Sequence, residues 1–225
     1  MTTRIGNDVI DLRAAHNRGR ADHARLLARV LTANERAQLL ADDGGDAGFA
    51  LLWSAKEAAY KALKKARPTL VFAPGRWQVD CASLRMTDAT HHGRVQMDAD
   101  TCIAVSWQCR PHWLHCVATF GPTPEQLDSA VRTLAESTPQ QPFSATELAS
   151  FSRTESAHVR ELARQLLAAH GIHDIEIVRM GDGAAKQPPQ VFAAGVPLAH
   201  IELSLSHDGD YVAAAIALCA QNHER

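Results

Sequence analysis

The chain has 225 residues, 46 % hydrophobic and 21 % charged. Those are ordinary proportions for one large or two small globular domains, long enough to bury roughly 70–75 % of the unfolded surface. With 23 basic against 25 acidic residues the net charge is −2, which argues against a general nucleic-acid binder. No apolar run approaches the ~18 residues of a membrane span, and the N-terminus lacks the apolar core of a secretory signal. Five cysteines, Cys81, Cys102, Cys109, Cys116 and Cys219, are an odd set without such a signal and point to free thiols in a reducing cytoplasm.

Residues 1–13 predict a short buried strand, with Ile5, Val9, Ile10 and Leu12 placing apolar groups on both faces. Asp8 shares a face with Ile10 and Leu12; Asp11 lies on the other. Thr32 and Glu35 have capping-box spacing ahead of a helix. The stretch from Leu51 to Lys65, LLWSAKEAAYKALKK, is rich in good helix formers, and Leu52, Ala55, Ala59 and Leu63 make one apolar stripe. Residues 70–120 read as strands, WQVD, RVQM, TCIAVSW and WLHCVATF, the last two a hairpin. Thr123, Pro124 and Gln126 resemble a helix start, and STPQQPF at 137–143 resembles a linker. A second helical run reaches Ala169, with Gly171 as its cap. Strand-like DIEIVRM, HIELSLS and YVAAAIAL follow.

The halves repeat. Ser54-Ala55 aligns with Ser156-Ala157 at an offset of 102, and Trp113 with Tyr211 at an offset of 98. Two similar offsets in the same order indicate two copies of one helix-plus-hairpin unit. The copies differ in their polar residues. The first has Lys56, Glu57 and Lys61 where the second has His158, Val159 and Ala163; the second has Ser206 and His207 where the first has Gln108 and Cys109. Taken singly these residues have plain readings: Glu57–Lys61 an i,i+4 surface pair, Asp8 a loop carboxylate, His207 a turn residue. Cys109, His112, His115 and Cys116 offer zinc-type ligands, but their spacing fits no common knuckle.

Together they resemble the 4′-phosphopantetheinyl transferase superfamily. Gly6-Asn7-Asp8 is similar to its G-x-D strand. Trp53-Ser54-Ala55-Lys56-Glu57-Ala58-Ala59-Tyr60-Lys61 fits its W-x-x-K-E-A-x-x-K signature at every defined position. Leu203-Ser204-Leu205-Ser206-His207 is similar to its Ser-His strand end, and Lys186-Gln187-Pro188 loosely to a Gly-Lys-Pro element. The resemblance implies an α+β fold, a pseudo-dimer of two helix-plus-antiparallel-sheet halves, divided as 1–122, a connecting helix and linker at 123–143, and 144–225. The order, G-x-D and K-E-A first and Ser-His second, is that of short holo-acyl-carrier-protein synthases spread over a duplicated chain.

The implied activity is transfer of 4′-phosphopantetheine from coenzyme A to a serine of an apo acyl or peptidyl carrier protein. Mg2+ would be held by Asp8 and Glu57, hard oxygen donors of the kind it prefers. Ile10 stands where the family's longer type, which fuses two units in one chain, often has a third acid, and Asp11, on the other face, is a poor substitute. Glu57 is the implied general base, and Lys61 the group that meets the leaving phosphate. His207, Ser206, Lys186, Arg160 and Lys56 are the implied coenzyme A contacts. The expected protein is cytoplasmic and monomeric, without nucleic-acid or membrane partners. Two other classes compete: a non-catalytic relative that only binds coenzyme A or a carrier protein, and a magnesium-dependent phosphohydrolase.

Overall fold

A computed structural model describes residues 2–181 and 187–220. The first strand, β1 (Arg4–Asp11), leads into α1 (Ala24–Val30), α2 (Ala33–Ala41) and the 22-residue α3 (Gly45–Ala66). Strands β2 (Gln78–Cys81), β3 (Thr90–Gln96), β4 (Cys102–Cys109) and β5 (Trp113–Phe120) follow. They form one antiparallel sheet with β1, in the order β1-β5-β4-β3-β2. Helix α3 packs across it through Leu52, Ala55, Ala59 and Leu63, the predicted stripe, all buried.

The remainder comprises β6 (Gln126–Thr133), α4 (Ala145–Ser150), α5 (Thr154–Ala169), β7 (Ile175–Val178), β8 (Gln190–Ala193), β9 (Val196–Pro197), β10 (Ile201–Asp208) and β11 (Tyr211–Leu218). Two three-stranded antiparallel sheets result, β10-β11-β6 and β7-β8-β9. Helix α5 covers the first of them, ending at Gly171 with a φ of 75°, a left-handed conformation that glycine adopts without a Cβ penalty. Among the described residues no helix is long and apolar enough to cross a membrane.

The expected connecting helix after Thr123 is a strand. Thr-Pro-Glu is a good local helix start, but β6 pairs with β11 along its whole length. Eight residues of ladder, covering an alanine-rich strand that would otherwise be an open edge, outweigh a weak local preference.

Both halves share one register. β1 pairs with β5 from Arg4–Phe120 to Asp11–Trp113, and β6 with β11 from Gln126–Leu218 to Thr133–Tyr211. β4 meets β5 at Ala104–Thr119 and β10 meets β11 at Glu202–Ala217, so the hairpin offset of 98 holds on both strands. A buried device is also repeated. Thr32 and Glu35 form the predicted capping box, and Ser144 and Glu147 form a second. Glu35 Oε1 accepts from Val79 N on β2, and its Oε2 from Thr32 N and the Lys56 ammonium. Glu147 Oε1 accepts from Ile177 N on β7, and its Oε2 from Ser144 N and the Arg164 guanidinium.

Successive residues of β1 face opposite ways. Ile5 and Val9 turn toward the second half, into clusters with Ala213, Ala215, Ala217, Val131 and Tyr211. Gly6 and Asp8 turn toward α3. A Cβ at Gly6 would lie 2.0 Å from Ala58 O, so only glycine lets β1 and α3 approach this closely.

Along the seam, β1 lies beside β10 and β11. The even residues of β10 meet it with polar groups. Glu202 pairs with Arg4 and Lys65, Ser204 Oγ accepts from Asn7 N, and Asp208 Oδ2 accepts from Asp11 N.

Candidate active site

Asp8 and Lys61 come together because strand and helix periodicity each deliver one of them to the β1–α3 contact. Lys61 Nζ donates to Asp8 Oδ1 at 2.8 Å and to Asn7 O at 2.9 Å. Glu57 stands one helical turn before Lys61. Burial pushes its carboxyl up to about 7; Asp8 adds to the rise and Lys61 opposes it. Burial also raises the Asp8 carboxyl, with Asp208 adding, against the pull of Lys61 and His207. His207 and Asp208, at the end of β10, thus share the electrostatic field of Asp8. The first half supplies Asp8, Glu57 and Lys61; the second supplies His207.

His207 stands on the rim of a cleft whose wall carries Arg153, Arg160 and Arg179. Burial lowers its imidazole pKa, and the charges of Arg153 and Lys61 add to this, opposed by Glu155 and Asp208. Burial also lowers Arg160, to about 10, with Arg179 and Arg164 adding and Glu147 opposing. Arg160 is held by Ile177 O, Ser156 O and Ser150 Oγ, with its guanidinium over Phe151. It lends the cleft its charge and leaves two of its five N–H groups over. The Arg179 Nε is buried without a partner among the described residues. Helix α5, 16 residues long, begins at this wall, and its N-cap Arg153 makes no side-chain cap. Clustered guanidiniums at a helix N-terminus favour a multiply charged anion.

Two sequence expectations are corrected. Lys56 is no ligand contact: its side chain is wholly buried, and its ammonium is bonded to Glu35, Val30 O and Pro74 O. Ser206 lies on the β10 face that meets β1, not on the cleft face of His207, and its buried Oγ has no partner. Lys186 lies outside the described residues. Asp11 is structural, as its strand face implied: its Oδ1 accepts from Arg13 N and its Oδ2 from Asp210 N.

The sequence reading missed Arg153 and Arg179. It also missed the layer beneath Asp8. Asn7 Nδ2 lies 3.1 Å from His115 Nε2 and donates to Ala213 O. Burial holds His115 at about 3, so its ring is neutral near pH 7, and with the Asn7 amide donating, Nε2 is the acceptor. Cys109 and Cys116 are buried in the core, and among the described residues no three His, Cys, Asp or Glu side chains are gathered as a metal cage.

Residues 4–101 match the family model of the 4′-phosphopantetheinyl transferase superfamily. Through that segment, less than half of the chain, the protein is similar to the superfamily. The match spans β1 and α3, hence Asp8, Glu57 and Lys61, and ends before His207 and the arginine cleft. No curated protein matches the chain. Enzymes of that superfamily carry out phosphopantetheine transfer, a reaction that draws on coenzyme A and typically on a divalent metal. The donor set fits such an ion. Asp8 and Glu57 are hard oxygen donors with raised pKa values, and magnesium commonly takes one or two carboxylates plus phosphate and water.

Proposed function

We propose that the protein is a holo-acyl-carrier-protein synthase-type enzyme, moving 4′-phosphopantetheine from coenzyme A to a serine of an apo carrier protein, with Mg2+ held by Asp8 and Glu57. The observation that carries this reading is the pairing of Asp8, Glu57 and Lys61 from one half with the His207–arginine cleft of the other. The 3′,5′-bisphosphate end of coenzyme A is dense negative charge. It belongs against Arg153, Arg179, His207 and the start of α5, with Arg160 adding field. An ion held by Asp8 and Glu57 would supply charge neutralisation for the pyrophosphate.

The remaining chemistry falls to side chains. Glu57, once ionised, takes the proton of the serine hydroxyl. The serine oxygen forms its bond to the phosphorus on the pantetheine side, and the bond from that phosphorus to the bridging oxygen breaks. Adenosine 3′,5′-bisphosphate leaves with the bonding pair, and Lys61 meets its new charge.

We further read the molecule as a pseudo-dimer in one chain. The equal registers and the doubled glutamate device support this. So do contacts between repeat-equivalent residues: the Trp113 and Tyr211 rings meet tilted, centroids 6.3 Å apart, and Val9 shares a cluster with Val131, as does Val117 with Ala215. Such self-equivalent contacts are those a two-fold axis would bring about. The opposite seam has Ala130, Val159 and Ala163 at the places of Asp8, Glu57 and Lys61, so one site per chain follows. The five free cysteines agree with a cytoplasmic setting. Incubating the protein with coenzyme A, magnesium and a panel of apo carrier proteins tests the reading. A carrier gaining the mass of one phosphopantetheine on serine supports it. Loss of coenzyme A without a modified carrier points to hydrolysis, and no turnover with any carrier counts against transfer.

A further inference from the structure

Lys56 is the least exposed cation of the chain's signature segment, and its position is unusual for a lysine. Its ammonium reaches three acceptors on three segments: Val30 O at the end of α1, Glu35 at the start of α2, and Pro74 O in a 3-10 turn at Pro74–Arg76. Successive helix residues are rotated by about 100°. Ala58 O meets Gly6 of β1, and Lys56 lies about 200° away from Ala58, nearly opposite. Glu57 falls between them, about 100° from each. Rolling α3 in one direction drives it into β1; rolling it in the other strips the ammonium of its acceptors.

We infer that Lys56 is a positioning residue: together with the Gly6 contact it fixes the roll of α3 and so the direction in which Glu57 presents its carboxylate toward Asp8. The inference rests on the proposed reading only in naming what Glu57 holds. The second half contains an internal control. Arg164 grips Glu147 as Lys56 grips Glu35, but beside Val159 and Ala163 instead of a carboxylate.

The test uses Lys56→Met, with Lys56→Met/Glu35→Gln as the second variant. The double change avoids a stranded buried carboxylate, the costly outcome of breaking such a pair from one side. Arg164→Met is the comparison. Mn2+, a paramagnetic substitute for magnesium, is titrated by electron paramagnetic resonance, and crystal structures of the variants are solved without metal. Supporting residues behind a metal ligand commonly matter by about 10–100-fold in affinity. That loss is expected for the Lys56 variants, with affinity unchanged in Arg164→Met and the Glu57 carboxylate displaced from Asp8 in the Lys56 crystals. A folded Lys56 variant with wild-type affinity overturns the inference, as does an equal loss in Arg164→Met. If the wild-type protein binds no Mn2+, the metal reading falls. The crystals then decide the positioning role alone: a Glu57 carboxylate that has not moved relative to Asp8 refutes it.

Discussion

Under the proposed mechanism Asp8, Glu57 and Lys61 carry distinct duties that substitutions can separate. Glu57→Gln is expected to lower transfer by about 10²–10³, the usual range for one strong electrostatic group, with the fold retained. Wild-type turnover would remove Glu57 from the mechanism. Its carboxyl is raised from 4.5 to about 7. Between those values the folded protein keeps a proton that the unfolded chain has lost, so stability falls as pH rises through the window. Thermal melts of metal-free protein are therefore expected to decline from pH 4.5 to 7, and less steeply in Glu57→Gln. Transfer runs the other way, rising as pH climbs through about 7, because the base must be ionised. Saturating magnesium moves that limb to lower pH. Asp8→Ala is expected to weaken magnesium binding more than metal-free coenzyme A binding; calorimetry with equal magnesium affinity in both proteins would refute its role. These three residues were legible in sequence because each stands in a recognisable motif, Asp8 on the G-x-D strand and Glu57 and Lys61 on one long helical signature, although Asp8 and Lys61 are 53 residues apart. Lys56 was misread because it shares that signature. The motif places it beside Glu57, while its partner Glu35 is 21 residues away in sequence and only the tertiary fold brings the two together.

Helix α3 is located by packing rather than by polar contacts on its exposed side. Gly6→Ala puts a methyl group 2.0 Å from Ala58 O and 2.6 Å from Ala62 N, atoms of a backbone that cannot turn aside. A loss of at least about 1–3 kcal/mol is expected, measured as a lower denaturant midpoint, and the displaced helix takes Glu57 with it. A neutral Gly6→Ala would mean that β1 and α3 do not meet as described. β8 and β9 went unread, whereas strands β1–β5, β7, β10 and β11 and helix α3 were legible from apolar periodicity, which burial enforces. β6 was not, because its local chemistry at Thr-Pro-Glu competes with a pairing that depends on a strand about 85 residues later. The arginine cleft was hidden for a similar reason: Arg153 and Arg179 sit at the ends of α5 and β7, in no shared sequence pattern.

At the scale of the whole molecule, the proposed single site predicts one coenzyme A per chain. His207→Ala is expected to raise its dissociation constant by roughly tenfold or more, since a hydrogen bond to a charged group contributes about 1.5–3 kcal/mol. Cys109→Ala, buried in the first half's core, should leave it unchanged. Calorimetry giving two sites per chain, or equal sensitivity at Cys109 and His207, would refute the arrangement.

The proposed two-fold axis bears on how the residues beside it can change. In a true homodimer a residue on the axis must be compatible with itself, and every substitution arrives twice. In this chain Trp113 meets Tyr211, and Val117 meets Ala215: large beside smaller, where symmetry would demand equals. Each change at this interface is inherited singly. In the proposed arrangement one half is free to keep Asp8, Glu57 and Lys61 and the other to keep His207 and the cleft arginines, and a substitution that improves one side carries no obligatory copy that spoils the other.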